Sequence, residues 1–278
     1  MCQELFVVNP LFSRSMKQLK SSYQDLHRIF RHSITAREIA EPLASFEKDH
    51  PAPKVLSFMQ ARDFDVVGVR SDGVISGYIT RDSLGQGPVG DYMVPIRKRD
   101  GIDESDPLLD ALESLRDSRW VFIRFLGNPS GIVTRGDLQK APMRMWLFGL
   151  ISLLEMQLLR RIRDVYPNNA WVDYLTSNRL EGAQRIFDER QRKNDSIDLA
   201  ECLQIGDKKT IFRKSAILLG LVGFEAPKKW DQFMKEVEDL RNKLAHSNGI
   251  SSDSWPGIAI LVGEIEQCLL KLEEKVGH

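Results

Sequence analysis

The sequence predicts an α+β fold in which two small βαββα units are followed by an all-α helical bundle. A segment of alternating helical and β-prone residues occurs twice, with a period of 54 residues. After Pro142 the β-prone segments nearly disappear, and long runs with the helical period replace them. We therefore expect an N-terminal helical extension over 1–33, the tandem units over 34–141 and the helical domain over 142–278.

The composition limits the class of protein. The chain has 278 residues, 42% hydrophobic and 28% charged, so it can bury a sizeable core. Thirty-nine basic residues balance thirty-nine acidic ones, so bulk attraction to nucleic acid is weak and DNA is not expected as a partner. Cys2, Cys202 and Cys268 are far apart, which favours a reducing compartment and no structural zinc. Without a secretory leader or a membrane-length apolar run, the expectation is a cytoplasmic protein.

The spacing of apolar residues predicts the elements of the first half. Residues three or four apart predict one amphipathic helix over Ser13–His32. The first copy predicts a helix over Pro53–Ala61, a strand over Phe64–Val69, a turn at 71–73 and a second strand over Val74–Thr80. The second copy predicts the same order: a helix over Asp106–Ser114, a strand over Trp120–Phe125, a turn at 127–129 and a strand over Gly131–Thr134. Each copy is expected to end in a helix opening at Thr-Arg-x-x, and the two copies to pack together.

Helical periodicity dominates the second half. It predicts helices over Met145–Val165, Trp171–Arg192, Leu199–Leu221, Lys229–His246 and Pro256–Val276. Pro142 can open the first of them, because proline is accepted in the first turn of a helix. The boundary between the two halves is therefore expected near 140–142.

The two copies share a closing motif. Ser76–Ser83 aligns with Ser130–Asp137, and the second copy of the motif, Gly131–Leu138, resembles the closing signature of CBS domains. The repeat as a whole resembles a tandem CBS pair over about 34–141. This resemblance implies paired βαββα units that bind an adenine nucleotide (AMP, ADP or ATP) or a related adenosyl compound in the clefts between them.

By the same resemblance, Thr134 and Asp137 would bind the ribose hydroxyls, Arg135 would reach phosphate, and Ile132 would line the base pocket. A carboxylate suits a diol because it accepts two hydrogen bonds, and a helix start offers free N–H groups to phosphate. Thr80 and Arg81 hold the matching positions in the first copy. Ser83 stands there in place of the ribose-binding Asp, so one competent site is more expected than two. The alternative is that Thr134 and Asp137 only cap a helix.

A second motif lies near the end of the predicted helix Lys229–His246. Arg241, Asn242 and His246 resemble the Arg-x-x-x-x-His signature of HEPN domains, within a helical region of about 143–276. The resemblance implies a helical homodimer, and in many members a metal-independent endoribonuclease whose paired signatures face each other across the dimer axis. Five residues span roughly 140 degrees of a regular helix, so one face does not hold both Arg241 and His246.

These residue types suit RNA cleavage without a metal. His246 titrates near neutrality and could exchange protons, and Arg241 can bind phosphate oxygens with two N–H groups. Asn242 could orient the phosphate or His246, and the expected product carries a 2′,3′-cyclic phosphate. The alternative is that Arg241 pairs with Glu236 or Glu238 on the surface while His246 caps the helix end.

Glu155 interrupts the apolar run of its predicted helix. A carboxylate among apolar residues is costly unless a cation or donors accompany it, so we predict an ion pair between Glu155 and Arg241, which would place Glu155 in the catalytic site. The alternative is that Glu155 faces solvent or a loop. Between 160 and 214, twelve basic residues stand against nine acidic ones, and this surface could guide RNA or be an ordinary solvated helix face.

Together these features predict a nucleotide-sensing regulator. The CBS-like pair would bind an adenine nucleotide as a regulatory ligand and change the arrangement of a dimeric, metal-independent ribonuclease domain acting on RNA, with no membrane partner. The alternative is a non-catalytic sensor or adaptor that uses the helical domain for dimerisation or partner binding. A third reading is a toxin-like protein whose target is set by a separate partner.

Overall fold

The computed structural model describes residues 22–245 and 249–274. Within these ranges eight strands form two four-stranded sheets. In chain order they are β1 (Glu41–Pro42), β2 (Ser45–Glu47), β3 (Val66–Ser71), β4 (Val74–Thr80), β5 (Val94–Pro95), β6 (Gly101–Asp103), β7 (Trp120–Phe125) and β8 (Asn128–Thr134). The sheet orders are β2-β3-β4-β5 and β1-β8-β7-β6.

The α-helices of the described residues fall into two groups. Those preceding or within the repeat are α1 (Tyr23–Ser33), α2 (Ala52–Arg62) and α3 (Leu108–Asp117). The helical second half contains α4 (Ala141–Val165), α5 (Ser177–Arg192), α6 (Ile205–Lys214), α7 (Ala216–Val222), α8 (Pro227–Ala245) and α9 (Trp255–Glu274). The mixed α+β class with a helical C-terminal region is therefore confirmed.

The two copies of the repeat match in backbone detail. Each has an antiparallel hairpin, β3-β4 or β7-β8, whose register shifts at one equivalent point, Val69/Arg70 and Ile123/Arg124. Both hairpin turns place two residues at positive φ, Asp72 and Gly73 in one and Leu126 and Gly127 in the other. Such turns match the twist of paired strands. The repeat of 54 residues is therefore a repeat of structure as well as of sequence.

Each sheet is completed by a strand from outside its own copy. β1 precedes helix α2 of the first copy but pairs antiparallel with β8 of the second copy. β5 lies between the two copies and pairs antiparallel with β4 of the first. Between the sheets, Leu43, Val66, Phe122 and Ile132 form a buried apolar cluster. Tyr78 contacts Phe122 across it, with ring centroids 5.2 Å apart. The two copies thus pack together, as expected from the small size of either one.

Three groups of local predictions were wrong. The second hairpin turn lies at 126–127 rather than 127–129, and Asn128 already belongs to β8, because Leu126 and Gly127 take the turn's positive φ values. The motif Thr-Arg-x-x opens no α-helix in either copy, since single 3₁₀ turns at Arg81–Ser83 and Asp137–Gln139 follow the strands. A single turn has no substantial helix dipole, so neither motif offers phosphate the dipole of a helix start.

The third concerns the helices of the second half. The predicted helix Trp171–Arg192 is a 3₁₀ segment, Pro167–Tyr174, followed by α5. Asn168 and Asn169 adopt left-handed φ values, which asparagine tolerates and a regular helix does not. The run Leu199–Leu221 is likewise divided, into a 3₁₀ segment Leu199–Cys202 and the helices α6 and α7. Between these two helices the Ser215 hydroxyl accepts a hydrogen bond from Leu218 N at 3.2 Å and so caps α7. The predicted helix Ser13–His32 is described only from Ser22, and its earlier residues lie outside the described ranges.

Helix α4 links the second copy to the helical region. Its 25 residues bury a continuous apolar side that includes Trp146, Leu150 and Leu154. These belong to the same buried cluster as α3 residues of the second copy and α9 residues of the helical region. The first copy has its own small cluster around Val55, Met59 and Ile79. The second copy and the helical region therefore share one hydrophobic core. No helix among the described residues is both long and apolar enough to cross a membrane.

Candidate functional site

The Thr134–Asp137 turn follows β8 directly. One carboxylate oxygen of Asp137 accepts hydrogen bonds from the backbone N and the hydroxyl of Thr134, both at 2.8 Å. The other lies 3.0 Å from Lys140 Nζ. The Asp137 side chain is 13% exposed. Thr134 and Asp137 are thus brought together as predicted, and Asp137 already has a cationic partner. Thr134 caps no helix, since its hydroxyl donates to Asp137 and the 3₁₀ turn that follows has no side-chain cap.

Lys140 joins this turn to the start of the repeat. Its ammonium donates to the backbone oxygen of Ile39 at 2.7 Å and also pairs with the carboxylate of Glu41. Burial alone would lower the pKa of Lys140, but the hydrogen bonds to Glu41 and Asp137 outweigh it and raise the pKa. Lys140 therefore stays charged and competes with any ribose for Asp137. Sequence spacing did not single it out.

The first copy has the same local geometry with a weaker group. Ser83 Oγ accepts from Thr80 N at 3.3 Å and donates to Thr80 O at 2.8 Å. Ser83 therefore occupies the structural place of Asp137, as the alignment predicted. A hydroxyl offers no charge to a ribose diol, which agrees with the expectation of one competent site.

The two equivalent arginines bind protein groups. Arg135 donates to the backbone oxygens of Leu115 at 3.0 Å and Arg116 at 3.3 Å, at the carboxyl end of α3. Arg81 pairs with Asp63 and Asp65 just beyond α2, and the hydrogen bond to Asp63 raises the pKa of Arg81. In this arrangement each arginine holds the helix of its own copy against the strand end. Contact with phosphate would require either one to leave these partners.

Ile132 also has a structural position. It is 8% exposed and lies in the buried cluster between the two sheets, with Leu43, Val66 and Phe122. The base-pocket role predicted for it would use only its outer edge.

The predicted ion pair between Glu155 and Arg241 is confirmed. Arg241 Nε lies 3.1 Å from one oxygen of Glu155, and Lys208 Nζ lies 3.0 Å from the other. Lys208 is 8% exposed, Glu155 20% and Arg241 45%. Arg241 pairs with Glu155 rather than with Glu236 or Glu238, which face Gln232 at 3.1 Å and Lys209 at 3.8 Å. The part of that alternative that concerns His246 lies outside the described residues. One carboxylate on α4 thus holds two cations, one buried on α6 and one half-exposed on α8.

A cleft of about 540 Å³ lies beside this ion pair. It is lined by Arg241, Asn242, Glu238 and, across from α8, by residues of α5 and the start of α6 that include Arg179. Arg179 Nη1 lies 2.8 Å from Asp207, whose other oxygen accepts from Gln204 N at 3.0 Å. A buried carboxylate therefore fixes a second half-exposed guanidinium in the cleft. Arg179 and Lys208 were missed because only the fold places them near Arg241.

His246 lies outside the described residues, so its position relative to Arg241 stays a prediction. Asn242 lines the cleft, as its neighbouring position in the motif suggested.

The basic clusters between 160 and 214 are largely neutralised. Most of their side chains have acidic partners within 4 Å: Arg163 with Asp198 and Glu201, Arg190 with Asp195, Lys193 with Glu189, and Lys209 with Glu238. The sequence count therefore overstates the free positive surface here. This result favours the solvated-face reading over a continuous basic path for RNA.

Comparisons with known proteins found matches among solved structures only. No family model and no curated protein matches. Among solved structures, an uncharacterised conserved protein from Pyrococcus horikoshii is 18% identical over 38% of this chain and 90% of that one, with a TM-score of 0.35. CBSX2 in complex with AMP is 19% identical over 40% of this chain and 97% of that one, also with a TM-score of 0.35; the free CBSX2 structure is of the Arabidopsis thaliana protein.

A third similar structure is the CBS domain of a bacterial CNNM/CorC family Mg²⁺ transporter in complex with ATP. It is 17% identical over 41% of this chain and 90% of that one, with a TM-score of 0.34. These identities and TM-scores describe a likeness to CBS-domain structures over roughly the first two-fifths of the chain. They leave the helical second half unassigned.

Proposed function

We propose that this protein is an adenine-nucleotide-responsive, metal-independent endoribonuclease. The observation that carries the proposal is helix α4. It begins at Ala141, directly after the turn that holds Asp137, and it presents Glu155 to Arg241. One continuous helix therefore connects the candidate nucleotide site to the candidate RNA site.

On the nucleotide side, Asp137 is the proposed ribose ligand. Its carboxylate is held by Thr134, and its second oxygen faces the Lys140 ammonium, which a ribose diol can displace or share. Lys140 would then be close to the nucleotide and available to phosphate. Nucleotide binding would thereby replace the contact between Lys140 and Asp137 with contacts to the ligand. Coupling to the distant Arg241 site requires such a difference between the free and bound states.

On the RNA side, Arg241 would bind the scissile phosphate and stabilise the charge that develops on it. The ribose 2′-hydroxyl attacks phosphorus and the bond to the 5′-oxygen breaks, leaving a 2′,3′-cyclic phosphate and a 5′-hydroxyl. His246 is the proposed proton-exchanging group, since imidazole titrates near neutral pH. The cleft beside Arg241 would take the neighbouring nucleotide, with Arg179 and Asn242 on its walls.

A homodimer is part of the same proposal. Met145, Phe148 and Met156 on α4 are each more than half exposed. At about 100 degrees per residue they lie within about 80 degrees of one another, and Glu155 borders the same stripe. An exposed apolar stripe next to the site would bring two copies of Arg241 towards each other across a dimer axis.

The test is cleavage of a mixed single-stranded and structured RNA pool in EDTA. Wild type, Arg241→Ala and His246→Ala are compared, each with and without AMP, ADP, ATP or S-adenosylmethionine. Lys243→Ala, an exposed change on the same helix, is the matched control. Cleavage that ends in cyclic phosphate, is lost in the first two variants and retained in the control would support the proposal.

A non-catalytic sensor or adaptor is the second candidate. The pairing of Arg241 with Glu155 and of the basic clusters with acids favours it, because paired cations attract phosphate weakly. Nucleotide binding without RNA cleavage under any of these conditions would establish this second candidate.

A further inference from the structure

Gln139 makes a two-sided contact with the chain that follows α8. Its side-chain nitrogen donates to the backbone oxygen of Ile250 at 2.6 Å, and its side-chain oxygen accepts from Ile250 N at 2.9 Å. Gln139 is the last residue of the 3₁₀ turn that begins at Asp137. A residue two positions from the proposed ribose ligand therefore holds the backbone of a segment 111 residues away.

The surroundings of Ile250 fit this contact closely. Ile250 is 1% exposed, so water does not readily satisfy its backbone groups in place of Gln139. At Gly249, a Cβ atom would lie 3.0 Å from the side-chain oxygen of Gln139, so glycine permits the close approach. The contact uses both atoms of the glutamine amide, and a side chain at 249 would crowd it by a few tenths of an ångström.

A second contact joins the start of α4 to the chain before His246. Arg144, in the first turn of α4, donates to the backbone oxygen of Leu244 at 2.7 Å. Leu244 and Ile250 stand two residues before and four residues after His246 in the sequence. Two residues that follow Asp137 within seven positions, Gln139 and Arg144, thus bind the chain before and after His246.

We propose that Gln139 is a positioning residue that transmits nucleotide occupancy at Asp137 to the chain carrying the Arg241 motif. This inference rests on the proposed function and names how that site is regulated. A nucleotide that takes the second oxygen of Asp137 from Lys140 displaces the turn Asp137–Gln139. The turn then shifts the Ile250 backbone, because the side chain of Gln139 joins the two directly through its pair of hydrogen bonds.

The experiment compares wild type with Gln139→Ala and Gln139→Glu. The glutamate keeps an acceptor for Ile250 N but no longer donates to Ile250 O, so it should restore part of the coupling. Gln60→Ala, which removes an exposed amide on α2, is the matched control. Circular dichroism checks that each variant folds, and calorimetry gives the affinities for AMP, ADP and ATP.

The main readout is backbone hydrogen exchange over 242–252, measured with and without nucleotide. In wild type and Gln60→Ala, nucleotide should change exchange at Ile250. In Gln139→Ala that amide should exchange about fivefold faster, as one lost hydrogen bond implies, nucleotide affinity should stay within about twofold, and the response to nucleotide should vanish. Gln139→Glu should show an intermediate response.

Cleavage rate is the second readout and separates the two proposals. If wild type cleaves no RNA but Gln139 is needed for the nucleotide effect on exchange, the coupling stands and the ribonuclease assignment fails. If wild type cleaves RNA while Gln139→Ala keeps the full nucleotide effect on both readouts, the coupling is overturned and the ribonuclease stands. Absence of nucleotide binding by wild type would overturn the coupling and the sensing role together.

Discussion

The shared carboxylate of Glu155 allows a quantitative prediction. Glu155→Gln removes the charge that faces both Lys208 and Arg241 while keeping the side chain's size. Lys208 is 8% exposed and would be left as a buried ammonium without a carboxylate. Breaking a buried ion pair costs about 3–5 kcal/mol, and the partial exposure of Glu155 reduces this to about 2–3 kcal/mol.

The Arg241 side of the network should contribute less. Arg241 is 45% exposed, and an exposed pair is worth about 0.2–1 kcal/mol. Glu155→Gln should therefore lower the free energy of unfolding by about 3 kcal/mol in total, and Arg241→Gln by no more than about 1 kcal/mol. Loss of RNA cleavage in Glu155→Gln alone would thus mix an effect on the site with an effect on stability.

A double variant separates the two effects. Glu155→Gln combined with Lys208→Met leaves no uncompensated buried charge, so it should be about 1–2 kcal/mol more stable than Glu155→Gln alone. Equilibrium unfolding in urea measures all four proteins of the cycle. A double variant no more stable than the single one, or a cost of under about 1 kcal/mol for Glu155→Gln, would refute the reasoning.

Three further outcomes are expected. Asp137→Asn should weaken adenine-nucleotide binding at least tenfold by calorimetry, because it removes the charge that a ribose diol meets, whereas Ser83→Ala should leave the affinity nearly unchanged; equal losses would contradict a single competent site. Phe148→Glu should convert a dimer to a monomer in light scattering and remove RNA cleavage with it, and a wild type that is already monomeric would defeat the composite site. Burial, together with the positive charges of Arg31 and His32, lowers the pKa of His27 below its ordinary 6.5. As the pH falls, the unfolded chain therefore takes up a proton at His27 at a higher pH than the folded protein does. Urea unfolding should therefore show stability falling as pH decreases through about 6.5, and falling less in His27→Gln; an unchanged slope would remove His27 as the cause.

The sequence predicted the parts of this fold that depend on local spacing. The 54-residue repeat, the helices α2, α3 and α8, and the strand Trp120–Phe125 all follow from apolar periodicity and turn residues. The repeat itself could have placed the second hairpin turn at 126–127, since Gly127 is the repeat equivalent of Gly73 and both take positive φ. The exposed Leu126 hid it, because leucine is rare at positive φ.

Contacts between residues far apart in the sequence were harder to predict. The ion pair of Glu155 with Arg241 was predictable because a carboxylate in an apolar run requires a cation, and the motif supplied one. Lys208, Lys140 and Gln139 had no such signal, since nothing in their neighbouring residues indicates a partner 53 to 111 positions away. These side chains become candidates only when helix α4 has been placed against α6, α8 and the chain after it.

The pairing of β1 with β8 also sets the order in which the molecule can be completed during synthesis. The sheet β2-β3-β4-β5 needs only the chain up to Pro95, and it can form while the rest is still being made. The sheet β1-β8-β7-β6 requires β1 to wait until Thr134 has emerged, so its edge strand stays unpaired through the translation of some ninety residues. Long-range pairing of this kind is slow, and an unpaired strand is prone to aggregation in the interval. The brevity of β1, two residues ending in a proline, keeps that exposed edge small.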